Sequence, residues 1–178
     1  MTTSLAIIAA VLAACDAPPP PAPPQPPPAH DPWVVPPTVP EVMATLQRTG
    51  CLGVCPIYKL TIYRDGRVEY DGEHYVKVHG RVVTYVPTRE LRSLDDEFER
   101  AHYLDLDDSY THYDATDDPS QITSYRLNGR TKTITHYGGD SHAPRQLTDV
   151  EGWIDVVVDS DRWVGTSDER EAHARDWY

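Results

Sequence analysis

The proline content of residues 16–40 restricts the fold of this chain more than any other feature of its sequence. This segment holds 13 of the 17 prolines. Because proline fixes the backbone angle φ and has no N–H to donate, the segment is unable to form a helix or join a sheet. We expect a semi-rigid polyproline II tether, which reaches roughly 75 Å at about 3.1 Å per residue. A ligand for a proline-binding domain is the alternative.

An apolar run precedes the tether and leads into a cysteine. Residues 5–14 are all apolar; the run has the length of a signal-peptide core, whereas a membrane-spanning helix needs about 20 residues. The segment Leu12-Ala13-Ala14-Cys15 resembles a bacterial lipobox. We therefore expect residues 1–15 to be a lipoprotein signal peptide ending in a lipobox, with lipid on Cys15. No Lys or Arg precedes Cys15, so a cytosolic protein with an apolar N-terminal tail is the alternative.

The remainder of the chain is expected to form one domain, residues 41–165, followed by a polar tail, residues 166–178. From residue 41 onwards the chain has 26 acidic and 16 basic residues. This negative charge repels phosphate backbones, so we expect no nucleic-acid partner. It also opposes electrostatic attachment to anionic lipid. The expected contact with a membrane is therefore the lipid on Cys15.

The apolar pattern predicts an α+β domain: an antiparallel β-sheet of about five to six strands built from hairpins, with two helices packed on one face. Residues 57–63 alternate between apolar and polar types and precede a turn at residues 64–66. Apolar side chains share one face only when Ile62 pairs with Val68, which requires a three-residue loop with Gly66 left-handed.

Further strands are predicted on both sides of this hairpin. Residues 74–78 and 81–86 form the expected second hairpin. Residues 122–127 and 130–137 flank Asn128-Gly129, a strong hairpin signal. Residues 42–49 are expected to add a strand at an edge of the sheet.

Helical spacing of apolar residues predicts a first helix from Thr88, which is able to cap it, to about His102. A second helix is expected to open at Pro144 and to stop at Asp159. The inward-facing residues of the two helices are predicted to be Leu91, Leu94, Phe98, Ala101, Leu147, Val150, Ile154, Val157 and Val158.

Once Cys15 is assigned to lipid, Cys51 and Cys55 remain as a local pair. In an oxidising envelope such a pair is most often a disulfide. Four extended residues span about 13 Å, whereas bridged Cα atoms lie roughly 4.4–6.8 Å apart, so the chain must turn between the two cysteines. Gly50 and Gly53 permit such a turn.

The region around this turn resembles a bacterial family of envelope domains of unknown function with a Gly-Cys-x-Gly-x-Cys-Pro-x-Tyr signature. The matching residues here are Gly50, Cys51, Gly53, Cys55, Pro56 and Tyr58. Residues 116–119 and the helix containing residues 143–155 are similar to later parts of that family, so the resemblance covers roughly residues 42–163. It implies a frequently lipid-anchored domain. It assigns no activity and no catalytic residue.

Cys51-x-x-x-Cys55-Pro56 also resembles the motif of copper-handling thioredoxin-like proteins. In those proteins the motif opens a helix, whose N-terminus stabilises a thiolate. The residues after Cys55 alternate as a strand, which opposes a redox or Cu(I) role without excluding it.

Two other clusters of side chains carry potential metal ligands. Six aspartates, which include Asp117 and Asp118, lie between residues 105 and 118, and clustered carboxylates suit calcium. The spacing matches no EF-hand, so a solvated loop is the simpler interpretation. His136, Asp140 and His142 form a possible zinc ligand set. Surface histidines are the simpler interpretation there, because no sharp spacing motif is present.

The sequence contains no G-x-S-x-G, P-loop, Rossmann or H-E-x-x-H motif. We therefore expect no cofactor, no bound metal and no catalytic residue, although enzymatic activity stays open. The leading hypothesis is a lipid-anchored, non-catalytic binding or structural module of the bacterial cell envelope, with an unidentified envelope protein or ligand as partner. The alternative is a thiol-redox or metal-handling envelope protein that uses Cys51 and Cys55. The candidate functional residues are Asp117, Asp118, His136, Asp140 and His142.

Overall fold

The computed structural model describes residues 40–112 and 117–175. The expected signal peptide, the lipid site Cys15 and residues 16–39 of the expected tether lie outside the described residues. No helix among the described residues is both long enough and apolar enough to cross a membrane.

A seven-stranded sheet forms the framework of the domain, with strand order β4-β3-β2-β1-β6-β7-β5. Its strands are β1 (Val42–Arg48), β2 (Ile57–Tyr63), β3 (Arg67–His74), β4 (Gly80–Tyr85), β5 (Ser109–Tyr110), β6 (Ser120–Leu127) and β7 (Arg130–Tyr137). Neighbouring strands are antiparallel except β5 and β7, which are parallel. The expected antiparallel sheet of five to six strands therefore differs in the number of strands and in the direction of one strand. Strand β5 lies in the aspartate-rich segment of residues 105–118, which we call the acidic loop. Its two residues give no strand signal in the sequence, yet they pair with β7.

Strand β1 lies at the centre of the sheet, whereas the sequence suggested an edge strand. It pairs with β2 on one side and with β6 on the other. Its residue Leu46 is opposite Leu60 of β2 and Thr123 of β6, and all three are fully buried. β2 is the next strand in the chain, whereas β6 begins more than 70 residues after β1 ends, so the central place of β1 is set by its long-range pairing with β6.

Two hairpin predictions are confirmed, the first in its register and the second in its turn, since the apolar pattern of the second left its register open. Ile62 is opposite Val68 across a three-residue loop, and Gly66 has φ of 91°. Leu127 is opposite Arg130 across the Asn128-Gly129 turn. Both turn residues have positive φ, 51° and 77°, as a type I′ turn requires.

The second predicted hairpin is wrong in its first strand. β3 continues to His74 and pairs directly with β4, with Tyr70 opposite Val82. The expected strand at residues 74–78 is a loop after His74, because its backbone bonds elsewhere. Lys77 N–H donates to the carbonyl of Val164, and Val78 N–H donates to that of Trp163.

The helices are α1 (Thr88–Arg100), α2 (Arg145–Val158), α3 (Asp161–Val164) and α4 (Ser167–Arg175). The apolar faces of α1 and α2 pack in one core with sheet residues such as Leu60, and the inward-facing residues predicted from the sequence are all buried. Thr88 does not act as the cap: α1 begins directly after Pro87, without a side-chain capping hydrogen bond.

Helix α4 occupies most of the expected polar tail. Its Glu169 accepts a hydrogen bond from Lys77 Nζ at 2.8 Å and one from Thr166 N at 2.9 Å. The Lys77 ammonium is the main reason that the pKa of Glu169 is lowered to about 2. The polar segment is therefore helical in this structure, and its Glu169 contacts the loop after β3.

Stacked aromatic rings fill the core between α1 and the sheet. The ring of Phe98 lies 4.1 Å from that of Tyr125 in a stacked arrangement, and Tyr103 meets Phe98 edge-on at 4.9 Å. The buried hydroxyls are paired: that of Tyr103 with Thr123 at 2.6 Å, and that of Tyr125 with Asp95 at 2.9 Å. The core therefore depends on close aromatic packing from α1, residues 103–105 and β6.

We predict that Phe98→Ala lowers the free energy of unfolding by about 3–5 kcal/mol, because it removes both ring contacts and leaves a cavity. Denaturant unfolding measures this change. The matched control is Val156→Ala on α2, whose residue is 63% exposed, and its effect is expected within about 0.5 kcal/mol. A loss below ~1 kcal/mol for Phe98→Ala would contradict this packing.

Candidate functional site

One end of the sheet brings together the loops that carry the residues of interest. β1 ends there, β2 begins there, β6 begins there, and β7 ends there. The loops contact one another through the backbone: Leu52 N donates to Asp117 O at 3.3 Å, and Gly138 N donates to Pro119 O at 2.9 Å. We call residues 49–56, 117–119 and 138–142, together with His112, the loop end of the sheet.

A disulfide closes the first of these loops. Cys51 and Cys55 are bonded, with their Cα atoms 5.6 Å apart. The chain turns at Gly53, whose φ of 154° is one that other residues rarely adopt. Leu52 lies beside it and is 83% exposed. The loop therefore presents an apolar side chain to solvent on a covalently closed turn.

The segment after the disulfide is a strand and not a helix. Pro56 leads directly into β2, which begins at Ile57. No helix N-terminus therefore points at Cys51 or Cys55 to stabilise a thiolate. The resemblance to thioredoxin-like copper proteins is therefore limited to the spacing of the two cysteines.

A row of polar side chains crosses the sheet next to the loop end. Arg48 of β1 is opposite Tyr58 of β2 and Gln121 of β6, and Gln121 is in turn opposite His136 of β7. Directly opposed residues share one face of a sheet. We call these four residues the polar row, and helix α2 covers it.

Asp155 of α2 binds two members of the polar row, Arg48 and Tyr58. Its Oδ2 accepts from Arg48 Nε at 3.0 Å and from Arg48 Nη2 at 2.6 Å. Its Oδ1 accepts from the hydroxyls of Tyr58 and Ser160, each at 2.7 Å. Burial, with the charge of Asp155 as the next cause, raises the pKa of Tyr58 well above its ordinary value, so this hydroxyl stays a donor.

Glu151 of α2 binds a third member of the polar row, His136. His136 Nδ1 lies 2.9 Å and 3.1 Å from the two carboxylate oxygens of Glu151, and each side chain is only 5% exposed. The neighbouring Gln121 is 8% exposed, and its Oε1 has no hydrogen-bond partner among the described residues. His136 is therefore part of the contact between helix and sheet, so its interpretation as a surface histidine is wrong. It is also not part of the group of potential metal ligands that contains Asp140 and His142.

A different histidine joins Asp140 and His142. His112, which follows β5, has its Nδ1 3.9 Å from Asp140 Oδ2. His142 Nδ1 lies 3.2 Å from Asp140 Oδ1. One potential ligand atom from each of the three residues lies within 4.8 Å of the others, the one such group found among the described residues.

The Asp140 carboxylate is held by the backbone of the same two histidines. His112 N donates to Oδ2 at 2.8 Å and His142 N donates to Oδ1 at 2.9 Å. Burial by itself would raise the pKa of Asp140, but these two N–H groups and the His142 side chain outweigh it, so the pKa lies below its usual value. The carboxylate is therefore charged and fixed in orientation.

The described aspartates of residues 105–118 do not take part in a group of three or more potential metal ligands within the described residues. Asp117 uses its carbonyl to accept from Leu52, and its φ is 81°. Asp118 N donates to the hydroxyl of Tyr137 at 3.1 Å. Asp108 pairs with Lys132 at 2.5 Å. Asp117 and Asp118 thus position the loops, and neither belongs to the potential metal group.

His112 is the site residue that the sequence analysis missed. It lies 28 residues before Asp140, and no spacing motif connects them. The parallel pairing of β5 with β7 brings the two together, because both strands run towards the loop end.

The sequence model of a family described as a domain of unknown function, DUF6438, matches residues 43–158. This is more than half of the 178 residues, and it lies within the 42–163 range of the resemblance described above. No curated protein matches the sequence.

We predict that Asp155→Ala destabilises the domain by about 2 kcal/mol or more, because it leaves Arg48 without its carboxylate; fully buried pairs cost roughly 3–5 kcal/mol. Denaturant unfolding again measures the change. Asp149→Ala, on an exposed position of the same helix, is the control and is expected to cost less than about 1 kcal/mol. Equal effects of the two substitutions would contradict the role given to Asp155.

Proposed function

The chain belongs to the DUF6438 family, and we propose that it is a lipid-anchored, non-catalytic binding module of the bacterial cell envelope. Lipid on Cys15 holds it to the membrane, and residues 16–40 separate the domain from the lipid surface. The loop end of the sheet binds a protein or ligand of the envelope. The observation that carries this proposal is the disulfide in the loop of residues 51–55.

The disulfide supports an envelope location. Disulfides persist in oxidising compartments such as the periplasm and are rare in the cytosol, where thiols are kept reduced. The pair Cys51 and Cys55 is closed in this structure. An oxidising location is also what the lipobox-like sequence ending at Cys15 predicts, and the two features lie in separate parts of the chain.

The exposed side chain of Leu52 supports a binding role. It is 83% exposed, although it lies between Cys51 and the positive-φ residue Gly53 in a closed turn. A second restraint is the bond from its N–H to Asp117 O. A restrained loop loses little conformational entropy on binding, so an apolar group on it suits contact with a partner.

The polar row supports a non-catalytic role. Arg48 and Tyr58 bind Asp155, and His136 binds Glu151, all between α2 and the sheet. These charged and hydrogen-bonding groups hold the helix on the sheet. A group already used in this way is not placed to contact a substrate.

The test is the intact mass of the full-length protein from envelope fractions, alkylated with and without prior reduction. We expect a lipid adduct, and two thiols alkylated only after reduction. Cys15→Ala should lack the adduct and keep the disulfide, whereas the double variant Cys51→Ala/Cys55→Ala should keep the adduct and show no alkylation. A wild-type chain without lipid, or with two thiols free before reduction, would contradict the proposal.

Thiol-redox activity is the second candidate, and the partial exposure of the cysteines favours it. Cys51 and Cys55 are both intermediate in exposure, so a reductant has access to them. The strand after Pro56 opposes it, as described above. Equilibration of the protein with glutathione or dithiothreitol buffers gives the reduction potential of the pair. We expect a structural value below roughly −300 mV, whereas a value near −200 mV would favour a redox role.

A further inference from the structure

We propose that His112, Asp140 and His142 bind one divalent transition-metal ion, with zinc as the representative ion. The proposal goes beyond the lipid-anchored module described above. It uses none of the cysteines, so its test is independent of that function.

The types of ligand suit such an ion. Two imidazole nitrogens and one carboxylate oxygen form a donor set that binds zinc, and imidazole also binds other late first-row metals. Calcium and magnesium prefer sets made of oxygen atoms only. The three residues therefore favour a transition metal over a hard cation.

The three side chains lie near enough to one another to share one ion. With metal–ligand bonds of about 2.0–2.1 Å, the ligand atoms of a tetrahedral site lie about 3.3 Å apart. His142 Nδ1 lies 3.2 Å from Asp140 Oδ1, and His112 Nδ1 lies 3.9 Å from the other oxygen, Oδ2. With one ligand atom taken from each residue, the three atoms lie within 4.8 Å of one another. The two imidazoles are 77% and 65% exposed, so their rings have room to rotate towards a bound ion.

The carboxylate is oriented before any metal arrives. Asp140 has no exposed side-chain surface, and the backbone N–H groups of His112 and His142 each bind one of its oxygens. A carboxylate oxygen has a further lone pair for a metal. Each histidine thus supplies both a ring ligand and the outer hydrogen bond that fixes Asp140, which is the arrangement that orients ligands in metal sites.

The two exposed rings face solvent at the loop end of the sheet. Their centroids lie 5.0 Å apart at an angle of 45°. Three protein ligands leave a fourth position open in a tetrahedral site. Water fills this position, or a side chain of a bound partner does.

The experiment is a zinc titration of the full-length, metal-stripped protein without a histidine tag, by isothermal calorimetry. We expect one ion per chain. His112→Ala and His142→Ala should each weaken zinc binding by about 10–100-fold or more. The matched control is His74→Ala, another exposed histidine, at the end of β3, and it should bind as the wild type does. Calcium should give no binding heat.

Two further measurements separate loss of ligands from loss of folding. Thermal unfolding of His112→Ala without metal should match that of the wild type, because the ring is exposed. Added zinc should raise the Tm of the wild type and of His74→Ala only. The visible spectrum of the cobalt-loaded protein should be that of a four-coordinate ion. The proposal is overturned if the wild type binds no stoichiometric zinc, or if both ligand variants bind zinc as tightly as the wild type.

Discussion

The ion pair between Arg48 and Asp155 joins the central strand of the sheet to helix α2, and much of the domain depends on this contact. Arg48 ends β1, and Asp155 lies in the last turns of α2. The same carboxylate accepts hydrogen bonds from Tyr58, just after the disulfide loop, and from Ser160, just after the helix. Strands β1 and β2 are thus held to the end of α2, about 100 residues later in the chain, at one carboxylate. These partners compensate the charge of Asp155 for its partial removal from water, since its side chain is only 19% exposed.

The position of α2 in turn determines what the loop end of the sheet offers. Glu151, one helical turn before Asp155, binds His136. This places His136 in the contact between helix and sheet. This leaves Asp140 and His142 on the loop that connects β7 to α2. The parallel strand β5 then brings His112 to the same loop. The residues of the buried polar row stabilise the domain, whereas the exposed histidines beside it remain accessible to a ligand.

Local pattern was sufficient for elements formed within a short stretch of chain. The register of β2 and β3 followed from placing Ile62 and Val68 on one face, and Asn128-Gly129 specified the turn between β6 and β7. The faces of α1 and α2 followed from helical spacing. One wrong prediction has a long-range cause. Residues 75–78 have strand-like composition, but the backbone of Lys77 and Val78 bonds to residues 164 and 163. Interactions with distant residues therefore decided this segment.

The sequence by itself determined the α+β class, two helices, two hairpins and a cysteine pair that needs a turn, because each depends on neighbours within a few residues. It also predicted Asp140 and His142 as candidate ligands. Only the tertiary structure decided that β1 is central, that His136 belongs with Glu151, and that His112 completes the group with Asp140 and His142. The physical reason is that strand order and parallel pairing are set by the burial of apolar surface across the whole domain. A residue's nearest neighbours in space then come from segments that no local periodicity connects.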